Sequence, residues 1–125
     1  MNARQKLNID REILPLVSQM NRCGFTTFAS CQGHGYPCDS LPPYIAFYCS
    51  PGKARCLERL LREDMESVKP ELRWGWWVQG SFDSGYRLCW RLQPAGAHHW
   101  YSLYTRRSVR HDITRLTHMM ELFFK

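Results

Sequence analysis

Apolar residues recur at helical spacing in the first part of the chain: Ile13, Leu14, Val17 and Met20 fall on one side of a segment from Asp10 to Arg22. The pattern predicts a helix with Asp10 as its cap and Gly24 just past its end. A helix starting there carries Pro15 beyond its first turn, which predicts an irregular start or a bend. Phe25 to Cys31 and Tyr44 to Cys49 are short runs rich in aromatic and β-branched residues, and they predict two strands around a loop holding Gly33, Gly35, Pro37, Pro42 and Pro43. Ser50 followed by Pro51 is a helix-start signal, and Ala54, Leu57, Leu61, Met65 and Val68 continue at helical spacing until Pro70. From Leu72 the period changes to two. Leu72, Trp74, Trp76, Val78 and Phe82 share one face across Gly80, Asp83 to Gly85 supply turn chemistry, and Tyr86, Leu88, Trp90 and Leu92 resume the alternation as the second arm of a hairpin. After the loop Pro94 to Trp100, Thr105 stands as cap of a last helix with Val109, Ile113, Leu116, Met120 and Phe123 in its apolar stripe.

The order is therefore α-β-β-α-β-β-α, which predicts an α+β domain spanning 1–125, with a mostly antiparallel sheet and the helices on one face. A chain of 125 residues has room for one core and not for two. No window carries the roughly 18 apolar residues that a membrane-spanning helix needs. The opening MNARQKLNID lacks the apolar core of a signal peptide, so the expected location is the cytoplasm and the six cysteines are expected as thiols. The formal charge of +6 favours polyanionic partners, either nucleic acid or an acidic protein.

Two groups of residues carry candidate chemistry. The first is the loop after the first strand, where Ser30, Cys31, Gly33 and His34 bring a hydroxyl, a thiol, an imidazole and a permissive backbone together as a ligand-binding set. Cys31, His34 and Cys38 also have local spacing suited to zinc, with His98, His99 or Cys49 as a fourth donor, although no CxxC pair accompanies them. A cysteine nucleophile at Cys31 with His34 as base, or a plain turn with solvated side chains, fits the same residues. The second group is the polar face of the hairpin, where Arg73, Trp77, Arg87 and Arg91 combine guanidinium groups with an indole, as surfaces for single-stranded nucleic acid do. The same face also reads as solvated sheet with arginine stems over the indole. Arg106, Arg107, Arg110 and Arg115 read as the exposed side of the last helix.

The segment IDREILPLVSQMNRCGFTTFASCQGHG, Ile9 to Gly35, resembles the start of the wybutosine-synthesis tRNA methyltransferase family, with Pro15, Thr26, Thr27, Ser30, Cys31 and Gly33 at matching places. Ala29 and His34 stand where that family has a serine and an arginine, and YIAFYCSPGKARCLERLL follows its next strand and helix in hydrophobic pattern only. That family uses S-adenosylmethionine. The present chain is much shorter, so the resemblance implies a shared α+β scaffold and a loop at Ser30 to His34 that binds a nucleotide or RNA, without S-adenosylmethionine or a complete methyltransferase site. Two functions are thus expected: a small RNA- or nucleotide-binding protein, or a protein-binding inhibitor or adaptor of a phage or mobile element, acting through the aromatic and basic surface that five tryptophans suggest.

Overall fold

The structure, a computed structural model, describes residues 9–124. The first eight residues, on which most of the signal-peptide reading rests, lie outside the described residues. The elements are α1 (Leu14–Arg22), β1 (Thr26–Cys31), β2 (Tyr44–Tyr48), α2 (Pro51–Met65), β3 (Trp74–Phe82), β4 (Leu88–Ala97), a 3-10 turn (Trp100–Tyr104) and α3 (Arg106–Phe123). The four strands form one sheet in the order β1-β2-β4-β3, and every neighbouring pair is antiparallel. This is the expected α+β order. Among the described residues, no helix is long and apolar enough to cross a membrane.

Strand alternation decides which residues meet the helices. Ile45, Leu92 and Val78 lie side by side across three strands, and all are buried. Phe47 and Trp90 form the next row, where Gly80 makes the gap: a Cβ there would meet the Trp90 ring at 3.0 Å. The helices close this face with Leu16, Val17 and Met20 from α1, Leu57 and Leu61 from α2, and Val109, Ile113 and Leu116 from α3. Each buried side chain of this size contributes roughly 1.5–3 kcal/mol of hydrophobic stabilisation.

The core also holds two complete indoles, and their N–H groups need partners there. Trp74 Nε1 donates to Ser108 Oγ at 2.9 Å and Trp76 Nε1 to Asp112 Oδ2 at 2.9 Å. The fully buried Asp112 carboxylate accepts in addition from the backbone N–H of Arg73 and of Trp74, at 2.7 and 2.8 Å. One acidic residue of α3 therefore holds the start of β3 in place.

Several local expectations change. α1 begins at Leu14, so Pro15 lies in the first turn, where the missing N–H has no helical partner to lose. Asp10 does not cap it, because its carboxylate is engaged by the loop after β1. Ser50 does cap α2, accepting from Lys53 N at 3.2 Å, but α2 ends at Met65 and Val68 is solvent-exposed beyond it. Phe82 and Phe123 are exposed as well, since the hairpin tip and the last turn of α3 run past the core, and Met119 is buried in the stripe assigned to Phe123. Thr105 holds the cap position of α3 without a side-chain cap bond.

Candidate functional site

The loop after β1 is pinned from three sides. Gly33 has a φ of +84°, and a Cβ there would come within 2.9 Å of Pro43, so only glycine fits without displacing the chain. His34 N donates to Leu41 O at 2.9 Å, closing the loop on its own return. The residues before α1 supply the third contact: Gln32 N donates to Asp10 Oδ2 at 3.0 Å, and Glu12 N donates back to Gln32 Oε1 at 2.9 Å. Arg106, at the start of α3, locks the arrangement by donating to Glu12 Oε2 at 3.0 Å and Gln32 O at 2.9 Å.

These bonds bring Asp10, Cys31 and His34 together, with one ligand atom from each lying within 4.8 Å of the others. His34 Nε2 is 3.9 Å from Asp10 Oδ2. Cys31 Sγ accepts a weak bond from Gly33 N at 3.4 Å. Two of the three residues were visible in the sequence as candidates. Asp10 was missed as a member, because it is 22 residues from the backbone N–H it engages and no local pattern joins the two.

Cys38, the third expected zinc donor, does not join the group. It is fully buried, and burial pushes its thiol pKa up while the neighbouring Arg106 guanidinium opposes the rise. His98, His99 and Cys49 are likewise outside the group among the described residues. Ser30 is in register with the core residue Ile45, so strand alternation sets it on the opposite side of β1 from Cys31. Of the arginines read as an exposed helical side, Arg106 and Arg110 both pair with Glu12, and Arg115 pairs with Glu71.

The second group lies on the sheet face turned away from the helices. Tyr44 and Tyr48 are on this side of β2, and each carries a guanidinium: Arg91 lies 3.8 Å from the Tyr44 ring centroid and Arg87 3.8 Å from that of Tyr48. Phe28 stacks on Tyr48 with ring centroids 4.4 Å apart. Between the two tyrosines the small pair Ala29 and Ala46 forms a low floor, with Arg91 in register beside Ala46. The Tyr48 hydroxyl donates to Asp83 Oδ2 at 2.5 Å. That bond pushes the phenol pKa up and holds the Asp83 carboxyl below its ordinary value.

Three of the four residues expected at this surface share the face. Arg87 and Arg91 stack as described, and Trp77 lies across from Gln93, half-buried, with its indole N–H shielded from solvent and without a hydrogen-bond partner among the described residues. Arg73 does not share it: it precedes β3 and lines a groove with Tyr101, Arg107 and His111 beside α3. Phe28, Tyr44 and Tyr48 were not singled out from the sequence. The signal for the tyrosines was present in the alternation of YIAFY, where Tyr44 and Tyr48 fall opposite Ile45 and Phe47, whereas Phe28 sits at the register shift of β1, where alternation is interrupted.

Compared with protein-family models, with curated proteins and with solved structures, the chain finds no match.

Proposed function

We propose that this protein binds single-stranded RNA or a nucleotide on the open face of its sheet, as a small cytoplasmic protein. The observation that carries the reading is the pair of arginine-on-tyrosine stacks, Arg91 on Tyr44 and Arg87 on Tyr48, on the face the helices leave uncovered. Unpaired bases stack on aromatic rings and on guanidinium planes, and guanidinium N–H groups are donors suited to phosphate. Tyr44 and Tyr48 are four residues apart on one strand, about 13 Å at the usual rise, which leaves room for separate bases over the Ala29–Ala46 floor. A net charge of +6 supplies long-range attraction to a polyanion. The resemblance of Ile9 to Gly35 to a tRNA-modifying family points the same way.

Fluorescence anisotropy with a labelled single-stranded RNA of mixed sequence, set against a duplex of the same length, tests this. Arg87→Ala and Arg91→Ala each weaken binding and flatten its salt dependence, because fewer counterions are released. Tyr44→Ala costs roughly 1–3 kcal/mol if a base stacks there. Affinity indifferent to salt and to all three substitutions overturns the reading.

A second reading, docking of an acidic protein, is favoured by the 3-10 turn. Trp100 is 75% exposed there, with Tyr101 and Tyr104 also exposed beside the groove that holds Arg73 and Arg107. Tryptophan and arginine are enriched at interface hot spots. Trp100 belongs to the 3-10 turn and to none of the four strands, so Trp100→Ala leaves RNA affinity unchanged under the first reading.

A further inference from the structure

The loop that joins Asp10, Cys31 and His34 has the donors and the spacing of a metal site. We propose that these three residues bind one zinc-class divalent cation, with the remaining coordination position open to water or to an anionic oxygen.

The donor set argues for this class of ion. A thiolate, an imidazole and a carboxylate together suit zinc and its neighbours, whereas magnesium and calcium take oxygen ligands almost alone. The distances fit too. Zinc bonds of about 2.0–2.3 Å in tetrahedral geometry place ligand atoms roughly 3.3–3.8 Å from one another. His34 Nε2 and Asp10 Oδ2 are already 3.9 Å apart, and no ligand atom of the three is farther than 4.8 Å from another. Rotation of the exposed His34 ring, with small adjustments of the partly buried Asp10 and Cys31 side chains, would close the remaining gap.

The surroundings hold the donors in place. Gln32 N bonds the Asp10 carboxylate, Gly33 N points at Cys31 Sγ, and the His34 backbone is tied to Leu41. Hydrogen bonds of this kind to ligating groups orient them and raise metal affinity. Behind them, Arg106 bonds both Glu12 and the Gln32 carbonyl, which fixes the two chain segments that carry the donors. On binding, Cys31 gives up its thiol proton to solvent and His34 binds as the neutral ring.

The site opens outward, since Asp10 and His34 keep 37% and 57% of their side-chain surface exposed. Three protein donors with solvent access are the pattern of an exchangeable site, whereas a structural zinc is closed by four. Cys31 is in register beside Tyr44, so the cation would neighbour the Tyr44–Arg91 stack. The proposal does not depend on RNA binding, because a metal titration reads it directly.

The test is titration of reduced, metal-free protein with cobalt(II), followed by its visible and near-ultraviolet absorption, then displacement by zinc. One equivalent gives the visible bands of a tetrahedral ion and a thiolate charge-transfer band. Cys31→Ser abolishes the charge-transfer band, and Asp10→Asn and His34→Ala each weaken affinity at least tenfold. Cys56→Ser, on the exposed side of α2, leaves the spectrum intact. Circular dichroism and the unfolding midpoint of the metal-free variants confirm that they fold, and zinc raises the midpoint of the wild type but not of Cys31→Ser. Absence of a stoichiometric band overturns the proposal. So does a charge-transfer band that survives Cys31→Ser.

Discussion

The two faces of the sheet treat tryptophan differently within one short run, Trp74-Gly75-Trp76-Trp77. On the helix-covered face, Trp74 and Trp76 are nearly fully buried, and each indole N–H ends on a buried oxygen supplied by α3. On the open face, Trp77 is half-buried, and its shielded N–H has no partner among the described residues. The covered face is therefore a closed polar network inside an apolar core, where each donor has its acceptor. The open face is built instead from ring and guanidinium planes, Phe28 on Tyr48 and arginines on both tyrosines, which can accept a further flat group. The difference separates what holds the fold from what is left to bind.

The largest effect follows from removing Asp112. Asp112→Ala strands the backbone N–H of Arg73 and Trp74 and the Trp76 indole inside the protein, all of which the carboxylate now satisfies. Each buried donor left without an acceptor costs roughly 1–3 kcal/mol, so the three together are expected to cost several kcal/mol, a large part of the stability of a domain of this size. Urea unfolding measures it. Asp112→Asn keeps the shape but turns one acceptor into a donor facing donors, so it is expected to lose less and still unfold earlier than the wild type.

A smaller, matched pair sharpens the comparison. Trp76→Phe removes one donor from Asp112 and leaves space in the core, with an expected loss of about 2–4 kcal/mol. Trp77→Phe removes an N–H that has no partner among the described residues, so its expected change is no more than about 1 kcal/mol. Equal losses from the two substitutions would show that the faces do not differ in this way. The RNA affinity of Trp77→Phe should also stay close to wild type, since the phenyl ring keeps a stacking plane.

The element order and the covered face were legible because both rest on periodicity. The period-two run of Leu72, Trp74, Trp76 and Val78 announces a half-buried strand, and all four are buried. Ser50 and Pro51 mark the start of α2 as local chemistry should. The candidate metal group was only partly legible: Cys31 and His34 stand out in their loop, whereas Cys38 is drawn inward by burial and Asp10 arrives through a contact 22 residues long in sequence. The open face was half seen. Arg87 and Arg91 were named, but their partners Tyr44 and Tyr48 lie on a strand distant in sequence, brought alongside by the β2–β4 pairing. Arg73 was assigned to this face from alternation alone, but the strand begins only at Trp74, and Arg73, just before it, lines the groove beside α3.

The smallest expected effect concerns acid and alkali on the open face. Asp83 has its carboxyl pKa held down chiefly by the hydrogen bond from Tyr48, so the folded state favours the ionised form. Its contribution to stability is complete above the ordinary carboxylate value of about 3.9 and is lost as pH falls through the lowered folded value. Tyr48 has its pKa raised chiefly by the same bond, so the folded state favours the neutral phenol. That contribution is complete below about pH 10 and is lost as pH rises through the raised value. The link that orients Tyr48 beneath Arg87 is thus intact across the neutral range and breaks at both extremes. Both groups are near the surface, and solvent screening keeps the effect on overall stability small. Ultraviolet titration of tyrosinate isolates it: Asp83→Asn should move one phenol to lower pH, and in Tyr48→Phe that late-titrating phenol should be missing. If Asp83→Asn leaves every phenol where it was, the Asp83 bond does not position the Tyr48 ring, and the order of the open face rests on its stacked planes alone.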